Sequence, residues 1–186
     1  MQLTGTRAAG LVVMVGGVAF GFAPRVSSAD GKAQAKEVTV AEVRAEAFDK
    51  AIKAHKDKVV VVDFWATWCA PCVKKFPHLV EMHKKYADKG LVCVSVSMDL
   101  LGSKDDYKKD KVLAFLKDKG AAFPNFVTAD PDADGEKMEK TFGEDFRLIP
   151  YLVVFDKAGR RVWDSSNGPK MTDEQLEKKI EELLTK

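Results

Sequence analysis

Val59-Val60-Val61-Val62-Asp63-Phe64-Trp65-Ala66-Thr67-Trp68-Cys69-Ala70-Pro71-Cys72 carries the reading of the fold. Four consecutive valines make a β-branched apolar run too short for a spanning helix. A strand covered on both faces suits them. Pro71 sits just inside the helical pattern that follows, where its missing N–H costs nothing. That places Cys69 at a helix N-terminus and Cys72 one turn on. Unpaired N–H groups and the helix dipole favour a thiolate there, which lowers the Cys69 pKa and makes it a nucleophile. Cys72 is close enough to resolve a mixed disulfide formed on Cys69. A bare C-x-x-C is also half a zinc site. No second C-x-x-C occurs, and the only other cysteine is Cys93.

The 186 residues fit one domain plus a targeting segment. An apolar content of 46% and a charged content of 31% describe an ordinary globular chain with enough material for a core. Lys+Arg 30 against Asp+Glu 28 gives a net charge of +2, which offers no electrostatic case for nucleic acid.

Residues 1–29 read as a signal peptide or N-terminal anchor. Arg7 is a thin positive start, residues 11–22 an apolar core, and Ser27-Ser28-Ala29 a small-residue cleavage site. Residues 30–36 read as a polar tether, and 37–186 as the folded domain. A first strand is expected over 37–43 and an amphipathic helix around Phe48 and Ile52. The helix after Cys72 runs through Phe76, Leu79, Val80, Met82 and Tyr86, is interrupted by Pro77 and stops at Gly90. Residues 91–98 are the next strand. A helix over 104–119, a short strand over 123–128, a turn at 130–135 and a helix over 136–142 follow. Counting an EF-hand from Asp130 puts Thr141 where glutamate is needed, so that turn is not read as a calcium loop. Ile149-Pro150 opens an apolar strand, Lys157-Ala158-Gly159-Arg160 turns it, and a capping box at Thr172 and Gln175 starts a closing helix.

Asp63-Phe64-Trp65-Ala66 followed by Trp68-Cys69-Ala70-Pro71-Cys72 resembles the active-site segment of thioredoxins. The Trp68-Cys69-Ala70-Pro71-Cys72 form is similar to that of the exported TlpA/ResA-like thiol-disulfide oxidoreductases. The resemblance implies an α/β thioredoxin fold, a mixed central β-sheet flanked by helices, with an insertion over 100–148 before a cis-proline strand. It implies catalytic Cys69 and Cys72 and a buried acid, Asp63, as proton acceptor for Cys72. Burial at the end of an all-valine run would raise the Asp63 pKa for that role. The resemblance also makes Ile149-Pro150 a cis bond beside the dithiol, where backbone can pair with a substrate chain. Trp68, Ala70, Pro71, Ile149 and Pro150 are the expected substrate-binding residues, and the bulky Tyr151 is expected at the groove rim. Trp65 and Phe64 are expected in the core and Cys93 as an inert buried thiol.

Lys74 and Lys75 read as solvated helix surface, and His78 and His83, five residues apart, as surface histidines rather than metal ligands. No metal and no cofactor is implied. The implied partners are disulfide- or dithiol-containing exported proteins and a membrane thiol carrier as electron donor. The implied setting is the bacterial periplasm, with cytochrome c maturation as a process it would serve. A thiol peroxidase of peroxiredoxin type, or a Cys/His metal chaperone, are the competing classes.

Overall fold

The computed structural model describes residues 37–102, 107–130 and 132–186. The expected signal segment and tether lie outside them. The strands are β1 (Ala41–Val43), β2 (Val59–Trp65), β3 (Leu91–Ser97), β4 (Asn125–Thr128), β5 (Tyr151–Phe155) and β6 (Arg161–Asp164). The helices are α1 (Ala45–Lys53), α2 (Ala70–Tyr86), α3 (Lys109–Lys119), α4 (Gly135–Phe142) and α5 (Asp173–Thr185). The strands form one sheet in the order β1-β4-β3-β2-β5-β6. β1, β4, β3 and β2 are mutually parallel, β5 runs antiparallel to β2, and β6 runs antiparallel to β5. This is the expected mixed sheet flanked by helices.

Every residue of β2 is buried, as a central strand covered on both faces requires. The two-residue period of the strand then divides the run. Val59, Val61 and Trp65 pack into the core built with α2 and α5. Val60, Val62 and Phe64 pack into the opposite core, with Phe48 of α1 and Phe142 of α4. Asp63 is in phase with Val61 and Trp65, so strand geometry alone aims it at the α2 side. β3 repeats the pattern beside it, with Cys93 on the α2 side opposite Val61.

Several boundaries differ from expectation. β1 covers only Ala41–Val43 because its ladder with β4 starts at Phe126, and the Asn125 side chain donates to the Thr39 carbonyl at 3.2 Å. Val38 and Val40 pack half-buried on the α2-side core instead. α3 begins at Lys109, since Lys108 is extended, and residues 104–106 lie outside the description. Pro77 sits inside a continuous α2, and Gly90, at φ 103°, ends the short 3-10 turn that follows it. The capping box forms as read: Thr172 accepts from the Gln175 N–H, and Gln175 accepts from the Thr172 N–H. Among the described residues no helix is long and apolar enough to cross a membrane.

Candidate active site

The dithiol loop is pinned from below by β3. Asp99, buried just past its end, accepts the Thr67 N–H at 3.2 Å and the Thr67 hydroxyl at 2.5 Å, and the Ser97 hydroxyl donates to it at 2.6 Å. The Cys69 N–H donates to the Ala66 carbonyl at 3.1 Å, which closes the turn. Cys69 is thereby fixed as the N-cap of α2, and Pro71 occupies the first turn. The Cys72 N–H donates to Cys69 Sγ at 3.3 Å. That is the contact a thiolate on Cys69 would use. Cys69 and Cys72 are joined by a disulfide, with Cα atoms 5.3 Å apart. Both are buried.

Beneath Cys72 lies a cavity of about 310 Å³ lined by Asp63, Lys75, His78, Pro150 and Trp163, among others. Asp63 is only 7% exposed. Burial pushes its carboxyl up from 3.8 to about 7, and the Lys75 ammonium draws it back down. A carboxyl that changes protonation near neutrality, in the same cavity as Cys72, can take and return a proton there. Cys93 is free and buried, and burial pushes its thiol up, with the Asp63 charge adding to the effect.

The Ile149-Pro150 bond is cis. Pro150 stands immediately before β5, whose Tyr151 pairs with Phe64 of β2, so it meets the dithiol end of the central strand. Trp68 (53% exposed) and Leu148 (69% exposed) are large hydrophobic side chains left at the surface, and Ala70, Pro71 and Pro150 are exposed with them. Ile149 is half-buried. Trp65 and Phe64 lie fully in the core.

Two readings need correction. Tyr151 is not on the groove rim: strand parity turns it to the α1/α4 core, where its hydroxyl donates to the Phe142 carbonyl at 2.5 Å. His78 and His83 are not simple surface residues. His78 Nε2 lies 3.1 Å from Glu177 Oε1 in the wall of the cavity, and His83 packs edge-on against Phe123, ring centroids 5.2 Å apart. Lys75 is exposed, as expected of helix surface, yet it also lines the cavity with Asp63. Sequence reasoning missed Asp99 and Leu148 as parts of the site. The position of Leu148 next to Ile149-Pro150 was the available signal. Among the described residues no group of three or more His, Cys, Asp or Glu is placed to hold a metal ion.

The Redoxin family model matches residues 29–184. The thiol-disulfide oxidoreductase ResA of Bacillus thuringiensis subsp. konkukian is 30% identical over 135 residues, covering 73% of this chain and 66% of the relative. The thiol:disulfide interchange protein HelX of Rhodobacter capsulatus is 30% identical over 127 residues, covering 68% of this chain and 61% of the relative. The chain thus spans about two thirds of the length of these relatives. In fold it is similar to the crystal structure of a thioredoxin-family thiol:disulfide interchange protein from Chlorobium tepidum TLS. That likeness has a TM-score of 0.54 at 22% identity and covers 71% of this chain and 83% of the other.

Proposed function

This chain belongs to the Redoxin family, as a TlpA/ResA-like member of the thioredoxin superfamily, and from that premise we propose that it is a thiol-disulfide oxidoreductase that reduces disulfides of exported proteins. The observation that supports this most is the Cys69–Cys72 pair capping α2, with the Cys72 N–H on Cys69 Sγ and Asp63 in the cavity beneath. In the reduced protein the Cys69 thiolate attacks a partner disulfide and forms a mixed disulfide. Cys72 gives its proton to Asp63 and attacks Cys69, which releases the reduced partner and leaves the Cys69–Cys72 disulfide. Trp68, Leu148, Ala70 and Pro71 form the apolar lip, and the backbone at Ile149 pairs with an extended partner segment beside Pro150. A membrane thiol carrier returns the electrons. The family resemblance supports an exported, periplasmic setting and cytochrome c maturation as the process served.

The test is trapping. With a disulfide-bonded exported protein as substrate, the Cys72→Ser variant should stop at a covalent adduct, visible on a non-reducing gel and released by a thiol reductant. Cys69→Ser should form none. An adduct that forms through Cys72 when Cys69 is absent would reverse the assigned roles.

A further inference from the structure

Asp63 carries an electrostatic difficulty. A carboxylate at 7% exposure has lost most of its hydration, and burial alone favours the neutral acid. A neutral acid is no base for Cys72. Some group must favour the ionised form without filling the cavity.

The wall of α2 that lines the cavity runs Cys72, Lys75, His78, Leu79 and Met82. Those spacings of three and four residues stack side chains along one helix face. Lys75 therefore stands one turn beyond Cys72, over the cavity that holds Asp63. It is exposed, so its ammonium keeps its water. Its neighbour Lys74 is exposed too but does not line the cavity. The other ionisable groups toward Asp63 are His78 on α2, Cys93 on β3, and Lys170 and Asp173 where the chain enters α5. His78 is engaged by Glu177, and β5 and β6 present uncharged Leu152 and Trp163.

We propose that Lys75 is a positioning residue for the second step of exchange: its charge, held one turn from Cys72, keeps Asp63 able to ionise and so to accept the Cys72 proton. This rests on the reading of Asp63 as the base. The Cys72 thiol passes its proton to the Asp63 carboxylate. The thiolate attacks the Cys69 sulfur, the Cys69–partner bond breaks and the Cys69–Cys72 bond forms. The partner leaves as a thiolate and takes a proton from solvent. The two electrons that reduce the partner disulfide come from the Cys69/Cys72 dithiol. The Coulomb pull of Lys75 on the Asp63 carboxyl agrees with this placement.

The experiment follows the Asp63 side-chain carboxyl by NMR against pH, and the rate at which Cys72 resolves a preformed mixed disulfide. It compares the native chain with Lys75→Met, Lys75→Arg and Lys74→Met. In Lys75→Met the Asp63 midpoint should rise by about half a pH unit or more, and the rate profile should move with it. At about pH 7 that is a slowing of about twofold, approaching about threefold well below the midpoint. Lys75→Arg should restore both, and Lys74→Met should change neither. An unmoved midpoint in Lys75→Met, or a shift that arginine does not restore, overturns the proposal alone. A native resolution rate that ignores the Asp63 midpoint overturns the base assignment, and this role of Lys75 with it.

Discussion

In the unfolded chain the Asp63 carboxyl titrates near its ordinary 3.8, and in the folded protein near about 7. Between those values the folded state holds the extra proton. Stability therefore falls as pH rises from about 4 to about 7 and stays lowered above that. At about 1.4 kcal/mol per pH unit the upper bound of this cost is about 4 kcal/mol. Asp63→Asn should match the native protein below about pH 4 and exceed it by up to that amount at about pH 8. Urea unfolding of the oxidised proteins at both pH values measures the difference. The same variant should slow resolution by Cys72. A variant with no stability gain at the higher pH would remove the buried-charge account. The burial of Asp63 was legible in four valines and a two-residue period. The same parity, applied to 151–155, would have turned Tyr151 away from the groove. Lys75 was not legible, because helical spacing says which residues share a face but not which element covers that face.

The seam between α2 and α5 is organised by Glu177. Lys85 Nζ donates to it at 2.6 Å and the Tyr86 hydroxyl at 2.9 Å, and His78 Nε2 lies 3.1 Å away. The Lys85 hydrogen bond leads in pulling the Glu177 carboxyl down to about 2, and burial pushes the Tyr86 hydroxyl up to about 12. A lowered carboxyl contributes stability above its unfolded value of 4.5, and that contribution fades as pH falls towards about 2. Glu177→Gln should therefore be less stable than the native chain near neutrality and indistinguishable from it near about pH 2, by chemical unfolding. A deficit that persists at the acid end would make the loss steric instead of ionic. The start of α5 could be read from Thr172 and Gln175 because a capping box is local. The hub could not, since His78 and Glu177 are 99 residues apart and meet only once both helices dock on one sheet face.

Across the molecule, one strand places the chemistry. β2 sends Val60, Val62 and Phe64 to one core, and Val61, Asp63 and Trp65 to the face where α2 brings Cys72. The element order was legible because each strand and helix carries its own period and its own stop. The place of β4 within the sheet was not: it enters between β1 and β3, a pairing that local pattern does not encode. The central claim is that Cys69 and Cys72 form one reversible redox couple working in the reducing direction. Redox titration of the native chain, with Cys69→Ser as control, tests it most directly. A single two-electron couple lying nearer the about −270 mV of thioredoxin than the about −120 mV of a strong disulfide donor is the predicted result. A couple near about −120 mV would contradict the direction. Failure to form a Cys69–Cys72 disulfide at any poise would contradict the claim itself.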